Sequence, residues 1–334
     1  MSESCIFIMI NNFDRADAIT KDIRSDEAMA LVRTKLDQTL SGSPVIIRRY
    51  TKHLMSSKGK LIRANSVVVC AEDSHGFIHP NAVILAAAIE LLHLATLVHD
   101  DVIDNADLRR GADTLQKRYG KKSAVICGDY LLCAALRLAA SVTDKQDYLS
   151  INFPDYMNRV CLGELNQHIN NGNLELSVYQ YFKIISGKTA ALFEASFYAG
   201  AYFSGSTDKE LRAYRRLGFL LGMIFQLTDD CIDFEMTEAA AMKPVQSDYE
   251  QGVITLPLIH ALHEVKGFKD KAVRSGIGRN EINDAVIMSG GLDFTRSIVK
   301  RYYNKALHIL EGLAITEEKK LRLTGLLNKV SRLT

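Results

Sequence analysis

Proline is scarce in this chain. There are five in 334 residues (Pro44, Pro80, Pro154, Pro244 and Pro257), and most fall where a helix should begin or end. Val/Ile/Thr alternation of the strand type is nearly absent, which argues against a sheet-based fold. A charge excess of one sign is also missing: a net +2 gives no bulk attraction to nucleic acid or to an anionic membrane. The six cysteines (Cys5, Cys70, Cys127, Cys133, Cys161 and Cys231) have no metal-ligand spacing. Most sit in apolar helical runs, so reduced, buried thiols in a cytoplasmic protein are expected. No stretch reads as a transmembrane span, because the most apolar run, 82–98, carries Glu90 and His93 and ends in acids. The run from Cys5 to Ile10 follows Glu3 and is too short for a secretory h-region. Low-complexity linkers, sequence repeats and a clear domain boundary are lacking too.

What is present is ample apolar material, 47% of the residues, in runs of helical length. The fold class expected is all-α, a single-domain bundle of about ten to thirteen helices around a central cavity, a count set by apolar periodicity. One domain over 1–334 is expected, with 1–20 as a poorly ordered N-terminal extension. Helices are placed near 25–40, 45–56, 59–73, 80–104, 120–140, 145–170, 176–202, 207–234, 250–265, 280–289, 292–312 and 315–331. Short linkers rich in Gly, Asn and Ser, such as Asn170-Asn171-Gly172-Asn173 and Ser289-Gly290-Gly291, separate them.

Two Asp-Asp-x-x-Asp clusters dominate the chain: Asp100-Asp101-Val102-Ile103-Asp104 and Asp229-Asp230-Cys231-Ile232-Asp233. Each closes an apolar helical run. In a helix, residues i and i+4 share a face, so Asp100 stacks on Asp104 and Asp229 on Asp233. Stacked carboxylates repel, and the helix gains nothing from them. One cluster alone could be a solvated helix end. Two, both embedded in apolar sequence, read as facing halves of a hard-oxygen site for Mg²⁺, an ion that fills its shell with phosphate oxygens and water. Arg109 and Arg110 follow the first cluster closely, and adjacent guanidinium forks at that place read as a clamp on a diphosphate.

The run from His93 to Asp104 followed by Arg109-Arg110-Gly111, and the run from Phe225 to Asp233, resemble the two aspartate-rich motifs of the trans-isoprenyl diphosphate synthases, the polyprenyl synthetase family. Gly128-Asp129-Tyr130-Leu131-Leu132, Gly163-Glu164-Leu165-Asn166-Gln167 and Lys188-Thr189-Ala190 resemble three further signatures in the family's order. The similarity runs from about Pro44 to about Leu262 and is closest to long-chain bacterial members, particularly the large subunit of heptaprenyl diphosphate synthase. The resemblance implies the isoprenoid synthase fold and a Mg²⁺-dependent prenyl transfer. An allylic prenyl diphosphate ionises, isopentenyl diphosphate attacks the cation, and a proton leaves. It implies Asp100, Asp104 and Asp229 as Mg²⁺ ligands, with Asp101, Asp230 and Asp233 in close support, and three Mg²⁺ per active site. Lys188, Lys243 and Arg109 would hold the allylic diphosphate. Lys60, Arg63, His93 and Arg110 would hold isopentenyl diphosphate, and Thr189 and Gln226 would face the reacting carbons. A homodimer is implied, and the likeness to a large subunit raises a small accessory partner.

The chain departs from the family in places. Lys58-Gly59-Lys60-Leu61-Ile62-Arg63-Ala64 lacks a customary glycine, arginine and proline; Gln246 replaces a glycine; Val253 stands where a phosphate-binding lysine is common. One lost charge-assisted contact costs about 1.5–3 kcal/mol of diphosphate binding. Short-chain relatives often carry aromatic plugs four or five residues before the first aspartate, where this chain has Thr96 and Ala95. A product able to pass Leu92 toward Ala88 is therefore expected to exceed geranylgeranyl. The competing readings are a short-chain synthase, a partner-dependent or non-catalytic binding subunit, a terpene cyclase and a metal-dependent phosphohydrolase. A cyclase would need only one aspartate cluster and no isopentenyl diphosphate site, and a phosphohydrolase no apolar tunnel.

Overall fold

The computed structural model describes residues 23–56, 59–109, 111–235, 249 and 251–332. The fold is all-α, as expected. The N-terminal part is built from α1 (Ser25–Ser41), α2 (Val45–Ser56), α3 (Ile62–Ala71), α4 (Pro80–Ile103), α5 (Leu115–Tyr119), α6 (Lys121–Ala139), α7 (Lys145–Ile151) and α8 (Phe153–Ile169). Next come α9 (Val178–Ile185), a π-helical turn (Ser186–Ala190), α10 (Ala191–Tyr202) and α11 (Asp208–Glu235). The C-terminal part holds α12 (Leu256–Glu264), α13 (Phe268–Ser275), α14 (Arg279–Ser289), α15 (Gly291–Glu311) and α16 (Glu317–Ser331). Two short antiparallel pairs complete it: Ile23–Arg24 with Phe77–Ile78, and Leu108–Arg109 with Ala112–Asp113.

Several boundaries differ from the expectation, each for a local reason. The expected helix 59–73 starts only at Ile62, after Leu61 in the left-handed region at φ 47°. The stretch 145–170 is two helices, broken where Asn152 sits at φ 50° ahead of Pro154. Residues 251–255 are not helical, and α12 opens with Pro257 in its first turn, where a missing N–H costs nothing. The helix 176–202 is one path interrupted by the π turn. Short α5 and α13 went unforeseen.

The central helix α4 spans 24 residues, about 36 Å at 1.5 Å per residue. Among the described residues it alone is long and apolar enough to cross a membrane, and 67% of its most apolar window is buried in the protein. It is a core helix. Two apolar clusters form around it and around α11. Helices α3 and α10 join them: Val67 and Val68 face one cluster and Val69 and Cys70 the other, while Leu192 and Ala195 oppose Phe193 and Phe197.

Glycine makes that junction close enough. A Cβ on Gly200 would lie 2.3 Å from the Val67 carbonyl oxygen, one on Gly218 2.7 Å from the Phe193 carbonyl oxygen, and one on Gly222 2.5 Å from Ala190 Cα. These neighbours are backbone and cannot swing aside. At the far end of α3, the buried ammonium of Lys319 on α16 donates to the carbonyls of Cys70 (2.8 Å) and Glu72 (2.6 Å). Arg322 also bonds the Glu72 carboxylate. Gly200→Ala is therefore expected to lower stability by about 1–3 kcal/mol, the usual cost of overpacking. The midpoint of urea denaturation measures it, and an unchanged midpoint would refute the close-approach argument.

Candidate active site

The last turns of α4 present one half-buried face made of His93, Thr96, Leu97, Asp100 and Asp104. That spacing is one helical stripe. The Thr96 hydroxyl turns back to the His93 carbonyl at 2.8 Å. Ala95, Leu92 and Ala88, at 1%, 2% and 0% exposure, are packed into the core behind this stripe. Thr96 is thus the chain-length candidate on the Asp100 face.

The π turn explains how distant residues meet this face. A π turn inserts an extra residue and re-aims the side chains after it. Here it is pressed against α8: a Cβ on Gly163 would lie 2.1 Å from the Lys188 backbone nitrogen. Lys188 Nζ donates to Glu164 Oε1 at 2.9 Å. Burial pushes Asp100 up to about 7, with the negative charges of Glu164 and Asp104 adding to it and Lys188 and Arg109 opposing. Asp104 is raised by burial as well, and Glu164 adds to that against Lys188 and Arg109. For Lys188, burial works against the charge, yet Glu164, Asp100 and Asp104 outweigh it and hold the ammonium above its ordinary range. Lys188, helped by Arg109, supplies the positive charge among these three carboxylates.

One residue later the same turn reaches the second cluster. Thr189 donates to Gln226 Oε1 at 2.7 Å, and Gln226 Nε2 donates to Asp230 Oδ1 at 2.8 Å. The Tyr181 hydroxyl donates to the other Asp230 oxygen. Asp230 is 2% exposed and fully engaged, whereas Asp229 is exposed and Asp233 half-buried. Asp101 mirrors Asp230: it is 6% exposed, and Arg109 Nε donates to it at 2.6 Å. The middle aspartates therefore grip the protein, and the outer ones (Asp100, Asp104, Asp229, Asp233) remain at the surface of the site. Val253 lines a small cavity together with Asp233, Tyr249 and Thr255.

The N-terminus of α3 is placed by Glu90, whose carboxylate accepts the Ala64 N–H at 2.9 Å, one turn before His93. Arg63 lies with its guanidinium 4.6 Å from the Phe193 ring centroid. Lys60, just before that helix, is exposed. Arg110 and Lys243 lie outside the described residues, as do Gln246 and the extension 1–20. Glu164, Tyr181 and Glu90 were not singled out from sequence. Glu164 was visible within the Gly163-Glu164 signature, while Tyr181 and Glu90 carry no motif. Among the described residues, no three Asp, Glu, His or Cys side chains converge to hold a metal by themselves. Paired outer carboxylates do fit a hard divalent cation that takes its remaining oxygens from phosphate and water.

Two helices that end in carboxylates, with cations beside them, make a site suited to a hard cation and a multiply charged anion together. Residues 44–289 match the polyprenyl synthetase family model. The chain is 31% identical over 304 residues to heptaprenyl diphosphate synthase component 2 of Geobacillus stearothermophilus, covering 88% of this chain and 92% of that protein. It is 32% identical over 302 residues to octaprenyl diphosphate synthase of Haemophilus influenzae, covering 88% and 91%. The solved polyprenyl synthase of Caulobacter crescentus, complexed with calcium and isoprenyl diphosphate, superposes with a TM-score of 0.83 at 30% identity over 93% of this chain and 96% of that one. The chain belongs to the polyprenyl synthetase family. It is a prenyltransferase, a trans-prenyl diphosphate synthase.

The raised Asp100 gives a pH-dependent outcome. Its folded form holds a proton more tightly than its unfolded form, so its contribution to stability is present at low pH and lost as pH rises through about 7. In metal-free protein, Asp100→Asn is expected to raise stability by on the order of 1–2 kcal/mol at about pH 8 and by nothing near pH 4. The gain is less than a full three-unit shift would give, because the substitution also removes a partner of Lys188. Urea denaturation in EDTA at both pH values checks it. A pH-independent effect would contradict the burial of this carboxyl.

Proposed function

We propose that this enzyme is Mg²⁺-dependent and joins an allylic prenyl diphosphate to isopentenyl diphosphate, giving products longer than geranylgeranyl diphosphate. The observation that carries the reading is the π turn, where Lys188 bonds Glu164 within the field of Asp100 and Asp104, and Thr189 bonds Gln226, which in turn bonds Asp230. Leaving group and reacting carbon are thereby assigned to adjacent side chains.

In the reaction, the allylic C–O bond breaks and its electron pair leaves with diphosphate. The double bond of isopentenyl diphosphate then attacks the cation, and a proton is lost. Lys188 and Arg109 would take the negative charge that grows on the departing diphosphate. Mg²⁺ held by Asp100, Asp104, Asp229 and Asp233 would supply further charge to the same oxygens. Lys60, Arg63 and His93 would orient isopentenyl diphosphate. Thr189 and Gln226 would offer hydroxyl and amide oxygens to the developing cation. The apolar residues packed behind the Asp100 face, Ala88, Leu92 and Ala95, would help to keep water from that cation. Exposed Val125 and Ile126 on α6 and Leu162, Leu165 and Ile169 on α8 offer apolar surface to a second copy or to an accessory subunit. A cytoplasmic setting belongs to this reading and is in keeping with the free thiols of Cys70, Cys127, Cys133, Cys161 and Cys231.

Incubation with radiolabelled isopentenyl diphosphate, Mg²⁺ and farnesyl diphosphate, resolved by chain length, tests it. A ladder ending above geranylgeranyl is expected. Termination at geranylgeranyl would sink the chain-length argument and keep the reaction. The absence of incorporation would shift the reading to a partner-dependent or binding subunit, with Val253→Lys the first substitution to try. Asp104→Ala is expected to lower kcat at least about a hundredfold, or ~2.7 kcal/mol of barrier. Thr96→Tyr should shorten the ladder while leaving the first condensation intact; an unaltered ladder would remove Thr96 from the wall.

A further inference from the structure

Tyr181 lies behind the second aspartate cluster, at the start of a chain of hydrogen bonds that ends at Thr189. It is buried on α9, at 3% exposure, and its hydroxyl donates to one oxygen of Asp230. The other Asp230 oxygen accepts Gln226 Nε2 at 2.8 Å, and Gln226 Oε1 accepts the Thr189 hydroxyl at 2.7 Å. The direction of this chain is set at its buried end. A carboxylate accepts hydrogen bonds and donates none, so Gln226 has to turn its NH₂ toward Asp230. Its carbonyl oxygen then faces Thr189. A hydroxyl carries one hydrogen, and Thr189 spends it on that oxygen, which leaves its lone pairs. An amide turned the other way would press its N–H on Thr189 and free the hydroxyl hydrogen to point elsewhere. To a carbon gaining positive charge the two arrangements are opposite, since lone pairs attract it and a hydrogen repels it. Gln226 and Asp230 stand one turn apart on α11, so α9 and the π turn grip successive turns of the same helix face.

We propose that Tyr181 and Asp230 are positioning residues for the ionisation step: by holding a carboxylate against Gln226 they fix the direction of the chain, so that Thr189 offers lone pairs, not its hydrogen, to the allylic carbon. The inference rests on the reading above, in which Thr189 and Gln226 face the reacting carbons. Neither Tyr181 nor Asp230 needs to touch substrate for this. Each acts through the orientation of the next group along, and the effect reaches the allylic carbon only through the Thr189 hydroxyl.

A double-mutant cycle on single-turnover rates tests it, with the whole protein in excess over labelled farnesyl diphosphate and with isopentenyl diphosphate and Mg²⁺ saturating. Tyr181→Phe, which keeps the ring and removes the donor, is expected to slow the condensation about tenfold. Calorimetric affinity for farnesyl S-thiolodiphosphate, an analogue that resists ionisation, should stay within about twofold of wild type, because ground-state binding does not draw on the chain. Asp230→Asn can offer Gln226 an NH₂ and so let the amide turn round; it should slow the condensation at least as much. In a Thr189→Val background no hydroxyl is left to orient, and both substitutions should then change the rate by less than about twofold. Equal losses in the two backgrounds would make Tyr181 and Asp230 structural supports only. That result, or rates unaltered by both substitutions, overturns the proposal and leaves the prenyl transfer standing. Thr189→Val as fast as wild type removes the hydroxyl from the chemistry, and the proposal with it. A wild-type protein that incorporates no label fails the catalytic reading itself and ends the proposal on that separate ground.

Discussion

Carboxylates crowded at the ends of two buried helices repel one another and lose hydration, and the fold is arranged around keeping them there. Without a cation, Asp100 resists ionisation up to about neutral pH, and Asp104 is raised with it. The Lys188 ammonium bonds Glu164 and relieves part of that repulsion. The middle aspartates, meanwhile, are spent on internal bonds: Asp101 on Arg109, Asp230 on Gln226 and Tyr181. Each cluster therefore divides into an inner carboxylate that fixes the helix end and outer ones that are less buried. Such crowding is eased by positive charge brought near the outer carboxylates.

Position of that ammonium depends on backbone approach more than on side-chain choice. Gly163 admits the π turn, and Gly218 and Gly222 admit α10 and the turn's last residue onto α11. Any of these glycines replaced by a larger residue would push on main chain. The same turn bonds Gln226 through Thr189, so a shift there moves both halves of the site in concert. The adjacency of Lys188 and Thr189 in sequence thus becomes adjacency of two chemical tasks.

Much of this was legible in the sequence. Asp100 and Asp104 at i and i+4, the long apolar run before them, and the Lys188-Thr189 pair sufficed to place the site and the helices that bear it. Helix ends governed by left-handed residues were not legible: Leu61 and Asn152 adopt φ near 50°, a conformation that leucine rarely takes and that asparagine takes at only a minority of positions. The division of labour within each cluster was also hidden. It turns on Arg109 and Tyr181, whose partners are set by how the chain folds back. Glu90 shows the same limit: it reads as an interruption of an apolar helix, and its task of capping α3 appears only once 26 residues of chain have closed the loop.

The Lys319 contact has a temporal consequence. Its ammonium satisfies carbonyls at the end of α3 from 249 positions further along the chain. At roughly 5–20 residues per second, ribosomal synthesis needs about 12–50 s to cover that separation. Through that interval the nascent α3, whose other end carries Arg63, has no α16 to close on. The end of α3 is thus closed only when α16 has been made and docked, so a late-made helix completes what a much earlier one began.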